Sequence, residues 1–195
     1  MFERITEFEN MLSEYTGAPY VVATDCCTHA LELCFRRKKP EHVTFTSFTY
    51  LSIPMMLHKI DQPFAYLDHD KQVWEGEYKF HNSNIWDSAR LLTPMMYREG
   101  QMQCLSFGYD KPLEIGRGGA ILLDDFEDYY ILKHMSYDGR DLNISPWQEQ
   151  KNFLLGFHYK MTIEEAEIGM RLLNEHLPTC LEKDYPDLRN VSIHK

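Results

Sequence analysis

The spacing of apolar and polar positions divides the chain into short strands and amphipathic helices. In "RITEFENMLSEYTG", Ile5, Phe8, Met11 and Leu12 fall at helical spacing and Gly17 supplies a stop. "PYVVAT" then reads as a short buried strand. After a polar loop, "DCCTHALELCFRRK" places Ala30, Leu31, Leu33 and Cys34 on an apolar stripe, with Asp25 or Thr28 near the helix start. Strand, short loop and helix make the first half of a βαβ unit. "HVTFTSFTY" predicts a second strand that runs into a helix at "LSIPMMLHKI", which Pro54 starts or kinks. "PFAYLD", "NSNIWDSA", "MQCLSFG" and "GGAILLDD" follow as strands. Helices are predicted at "FEDYYILKHMSY" and at "TIEEAEIGMRLLNEHL", the second opening on a Thr162–Glu165 capping box. The closing "PTCLEKDYPDLRNVSIHK" is polar and weakly patterned.

Strands alternating with helices imply an α/β fold, a three-layer sandwich around a mainly parallel sheet. No repeat or linker divides the chain, so we expect one domain over residues 1–180 and a tail over 181–195. In such folds ligands bind beyond the carboxyl ends of the strands. That rule selects the loops "TDCCT", "TSFTY", "WDSAR" and "SFGYDK".

Composition narrows the choice. The 195 residues are 44% hydrophobic and 13% aromatic, enough for a sizeable core. A net charge of −10 argues against a nucleic-acid partner, which needs a cationic face, but leaves room for a small anion held by local donors. "MFERITEFENML" lacks a signal peptide's apolar core, and no apolar run reaches the length of a membrane span. With five cysteines, an odd number, these features imply reduced thiols, a cytoplasmic location and no membrane partner.

The candidate chemistry lies in the selected loops. Lys111 sits between two predicted strands in "SFGYDKPLEIGRGG", near Ser106 and bounded by glycines. It is either a solvated charge or an amine that bonds an aldehyde. Thr28 lies at a helix start, where it serves as a cap or, with backbone N–H groups, holds a phosphate. Asp87 ends an apolar strand and either caps the next segment or pairs with a cationic ring nitrogen. Tyr50, just past a strand, packs or stacks on a flat ring. The adjacent Cys26 and Cys27 and the scattered nine histidines do not form a zinc pattern. A phosphate cradle, a ring stacker, a carboxylate and a loop lysine are together the parts of a pyridoxal phosphate site.

The order of the motifs resembles the DegT/DnrJ/EryC1/StrS family, the pyridoxal-phosphate-dependent sugar aminotransferases of fold type I. The blocks that carry the likeness are "FENMLSEYTG", "VVATDCCTHAL", "HVTFTSFTYLS", "PFAYLDHD", "WDSARL", "SFGYDKPLEIGRGG" and "GFHYKMTIEEAEIGMRLL", in order from about residue 7 to 177. The resemblance implies a compact version of the fold type I large domain, without the C-terminal small domain. It implies that Lys111 bonds the cofactor and then moves protons, that Asp87 pairs with the ring nitrogen, and that Tyr50 stacks on the ring. Thr28, the Cys27 backbone and Ser106 would hold the phosphate. His158, where the family has an asparagine, would face the phosphate of a neighbouring subunit in a homodimer. The implied reaction moves an amino group from an amino acid, glutamate by resemblance, to a keto sugar linked to a nucleotide.

The chain also departs from the family. The serine and glycine before the threonine are Cys26 and Cys27, the glutamine or histidine after the aspartate block is Arg90, and the glutamate before the paired glycines is Arg117. Only 16 residues separate Asp70 from Asp87, where the family carries a helix–strand unit. These departures keep open a second reading, a non-catalytic relative acting as a binding or regulatory module. A dehydratase branch uses histidine in place of the lysine, and Lys111 argues against it.

Overall fold

The computed structural model describes residues 3–68, 75–175 and 183–193. Five strands form one sheet in the order β1-β7-β6-β5-β4. These are β1 (Tyr20–Thr24), β4 (Tyr78–Lys79), β5 (Ile85–Asp87), β6 (Met102–Ser106) and β7 (Gly119–Leu123). A second, parallel pair is made by β2 (Val43–Phe45) and β3 (Phe64–Tyr66).

The α/β class holds, but the sheet is mixed where the pattern implied a mainly parallel one. β5 runs parallel to β6, whereas β1 with β7, β6 with β7 and β4 with β5 are antiparallel. The reason lies in the connections. β4 reaches β5 through residues 80–84, too short for the crossover that parallel neighbours need, whereas β5 and β6 are parallel across the longer connection 88–101; β7 returns from β6 as an antiparallel neighbour. β4 itself was not foreseen. Just beyond it, His81 N–H donates to Thr44 O at 2.8 Å, so this segment joins the edges of the two sheets. It lies in the short interval between Asp70 and Asp87.

Each face of the sheet carries its own core, because central strands covered on both sides bury alternate residues in opposite directions. Ala120 and Leu122 of β7, with Leu105, pack against Ile5, Phe8 and Leu12 of α1 (Glu3–Thr16) and Ala166 and Leu173 of α5 (Ile163–Leu173). Ile121 and Leu123, with Met102 and Cys104, pack against Ala30, Leu31 and Cys34 of α2 (Cys27–Lys38) and Leu132 and Met135 of α4 (Phe126–Met135). The result is three layers. Pro54 lies in the first turn of α3 (Ser52–Lys59), where its missing N–H costs no helical bond, so it starts the helix without kinking it. The Thr162–Glu165 capping box forms as expected, with bonds of 3.2 and 2.8 Å.

Buried acids tie the layers together. Glu9 accepts from Ala23 N–H at 2.8 Å and pairs with Lys133, joining α1, β1 and α4. Glu32, 1% exposed, takes Arg36 and Lys59 at 2.8 Å each and so fixes α3 to α2. Among the described residues no helix is long and apolar enough to cross a membrane.

Candidate active site

The carboxyl ends of β5 and β6 meet the N-terminus of α2, and one glycine makes the approach possible. A Cβ on Gly119 would lie 2.5 Å from Cys27 N and 2.6 Å from Cys26 C, so only glycine lets β7 start against the helix backbone. Ser106 is the register partner of Gly119, which brings its hydroxyl to the same corner. Cys26 is the N-cap, with extended backbone and no side-chain cap, leaving the first-turn N–H groups open to an anion. Thr28 Oγ1 lies 2.8 Å from Ser52 Oγ at the start of α3.

Asp87 ends β5 and is 5% exposed. Burial raises its carboxyl above the usual range, opposed by Ala89 N–H at 3.0 Å, by the Tyr78 hydroxyl at 2.9 Å and by the Lys111 charge. Cys27 Sγ lies 4.0 Å from Asp87 Oδ1 and 3.6 Å from Cys104 O; burial, then the Asp87 charge, pushes this thiol well up and keeps it protonated. Asp87 also accepts from the backbone of its own turn at Ala89 N–H, as the capping reading expects.

Lys111 is half-buried beside this carboxylate. Burial lowers its pKa, Arg90 adds repulsion, and Asp87, Cys27 and Asp110 pull the other way. Arg90 is 3% exposed, and its guanidinium donates to Asp110 O at 3.2 Å and lies 3.5 Å from Asp110 Oδ1. The cation that breaks the family pattern thus grips the residue next to the lysine. Cys27, Thr28, Ser106, Asp87 and Lys111 converge. Tyr50 is 63% exposed, and His158 is exposed and pairs with Asp138 at 2.9 Å.

Sequence reading missed Tyr78, Thr49, Asp110 and Tyr185. Thr49 Oγ1 is 2.7 Å from the Tyr78 hydroxyl, and Tyr185 bonds to Arg90. None has a local signal, since each acts through a neighbour distant in sequence. The structure also gathers Asp25, Cys26 and His29, whose ligand atoms lie within 4.8 Å of one another. Hydrogen bonds to Asp25 and then Cys26 raise the His29 imidazole to about 9, and Arg117 holds Asp25 Oδ2 at 2.9 Å. Both oxygens of the Asp25 carboxylate are thus already engaged, one by the His29 imidazole at 2.6 Å and the other by the Arg117 guanidinium.

Pyridoxal phosphate needs an amine, a carboxylate for its ring nitrogen and donors for its phosphate. The side chains fit this demand. A carboxylate accepts at about four lone-pair sites, and Tyr78 and Ala89 leave Asp87 capacity for a cationic N–H. Its raised pKa marks a buried acid that a positive partner would stabilise. A half-buried lysine and a buried acid thus lie together beyond the ends of β5 and β6, with the N-terminus of α2 beside them.

Residues 1–79 and 96–183 match the model described as the DegT/DnrJ/EryC1/StrS aminotransferase family, and the chain belongs to that family. Asp87 and Arg90 fall in the unmatched interval. Among solved structures the chain is similar to AtS13 from Actinomadura melliaura (TM-score 0.72, 19% identity, 87% of this chain and 59% of that one). It is similar to the sugar aminotransferase CalS13 from Micromonospora echinospora (0.70, 16%, 87% and 60%). It is similar also to NtdA from Bacillus subtilis with bound cofactor PMP (0.71, 18%, 87% and 47%). The chain therefore spans 59% or less of AtS13 and NtdA and 60% of CalS13. No sequence among curated proteins matches it.

Proposed function

We propose that the chain is the cofactor-binding portion, residues 1–180, of a pyridoxal-phosphate-dependent aminotransferase. It moves an amino group from an amino acid, glutamate in this reading, to the keto group of a nucleotide-linked sugar. One observation carries the proposal: Lys111 and Asp87 share a single buried electrostatic cluster at the strand ends. The sugar class is supported by family membership and by the likeness to CalS13.

When bound, the cofactor supplies an electron-withdrawing ring that takes up an amino group from one substrate and yields it to another. The chain's own residues prepare for this. The lowered pKa of Lys111 increases the neutral amine available as a nucleophile and then as a proton carrier at Nζ. Asp87 keeps a proton on the ring nitrogen by charge. The first-turn N–H groups of α2, with Thr28 and Ser106, hold the phosphate. Tyr50 covers the ring, and exposed His158 faces the site of a second copy in a homodimer. A cytoplasmic setting is supported by the free thiols of Cys26, Cys27, Cys34 and Cys104.

One observation favours the second reading, a non-catalytic binding module. Cys27, where the family carries glycine, aims its thiol at Asp87, 4.0 Å away. The deciding experiment adds pyridoxal phosphate to the purified protein, records the visible spectrum, reduces with borohydride and maps the modified lysine. A visible band with label on Lys111, absent in Lys111→Ala, supports the enzyme; no band, or scattered label on surface lysines, leaves the binding module.

A further inference from the structure

The tail that the hydrophobic pattern leaves unassigned does not hang free. Residues 183–189 cross the carboxyl ends of the strands, over the loops that build the site. Lys183 Nζ pairs with Asp110 Oδ2 at 2.6 Å, on the residue next to Lys111. Tyr185 hydrogen-bonds to Arg90 and lies near enough to Asp87 to feel its charge. Leu188, 5% exposed, donates its N–H to Ser47 O at 3.1 Å. Arg189 closes the run by donating to Leu67 O and Asp68 O at 3.1 Å each. The anchors therefore sit beyond β2, β3, β5 and β6.

We propose that residues 183–189 form a strap that governs access to Lys111, with Arg90 as its inner latch. This deepens the reading of Lys111 as the cofactor-bonding amine and rests on it. The strap is built to release. Its regular structure is one 3₁₀ turn, Leu188–Asn190, and Leu188 is its only buried apolar side chain. Lys183 and Asp110 are 46% and 49% exposed, so this anchor is a solvated ion pair of the kind that contributes little and weakens with salt. Every anchor is on a strand-end loop, and both cores stay intact when the segment lifts. Lifting also frees the edge of Arg90 that Tyr185 holds and the ammonium of Lys183. An incoming anion, a phosphate or carboxylate group, competes for those cations, so an anionic substrate is the class that opens the strap.

Accessibility of the amine gives a test independent of the cofactor. The full chain and a Lys183→Glu/Arg189→Glu variant are treated with a small acylating reagent, and the rate at Lys111 is read by peptide mass spectrometry. Exposed Lys39 serves as the internal standard. Loss of two anchors is expected to speed acylation of Lys111 roughly tenfold against Lys39. The added negative charge near Lys111 raises its pKa and slows acylation, so it cannot imitate this result. On the unmodified chain, raising the salt concentration is expected to speed Lys111 in the same direction, which keeps the test valid if the variant folds poorly. Equal rates in variant and parent, with no effect of salt, overturn the strap. If Lys111 acylation rises but pyridoxal phosphate with borohydride labels neither protein, the strap stands and the cofactor reading fails.

Discussion

Tyr78 donates its phenolic hydrogen to Asp87 Oδ2 at 2.9 Å, while Thr49 lies 2.7 Å from the same phenolic oxygen. Tyr78 has one hydrogen and gives it to the carboxylate, so Thr49 is the donor to Tyr78. The relay is buried throughout, and it orients the acid that faces Lys111. Tyr78→Phe removes a bond to a buried acid and leaves Thr49 without its acceptor. We expect a loss of about 1–3 kcal/mol in folding stability, read from urea denaturation. An unchanged midpoint would show that Asp87 is satisfied without Tyr78.

Asp87→Asn keeps the shape and removes the charge. Binding of pyridoxal phosphate, followed by its visible band, is expected to weaken roughly tenfold to hundredfold as the ring nitrogen loses its ion partner. Circular dichroism should not change. Equal affinity in the two proteins would remove Asp87 from the cofactor site.

The His29 imidazole, raised to about 9 by Asp25 and then Cys26, binds its proton more tightly in the folded chain than in the unfolded one. Its stabilising contribution is therefore fully present below about pH 6.5, the ordinary histidine value, and is lost as pH rises through about 9. Denaturation midpoints of the parent and His29→Gln, measured across that window, are expected to converge as the pH climbs. A constant difference would mean that His29 contributes by packing on Tyr159, its ring 3.7 Å away, and not by charge.

Gly119→Ala puts a methyl group 2.5 Å from Cys27 N. The contact is with backbone at a helix start, which cannot swing aside as a side chain would. A loss of about 3 kcal/mol is expected from chemical denaturation, in the range that overpacking produces. A neutral substitution would show that α2 can shift away from β7.

The chain's own pattern determined the five α-helices, six of the seven strands, the capping box at Thr162, the strand ends at Asp87 and Ser106, the helix start at Thr28 and the loop that carries Lys111. These are local properties, carried by periodicity, caps and glycines within a few residues. Strand direction was decided by tertiary structure, because it depends on which strands a connection can join, and the period of one strand carries no record of its neighbour's direction. Tyr78 was missed because a two-residue strand has too few positions to show a period. Arg90 was legible as a departure, but its role was not: nothing near it in sequence names Asp110 or Tyr185 as partners. The tail was least legible of all. Residues 183–189 carry almost no hydrophobic pattern, and what fixes them is a set of polar contacts to strand ends far apart along the chain. The sequence determines each of those contacts, but only the folded sheet brings their partners together.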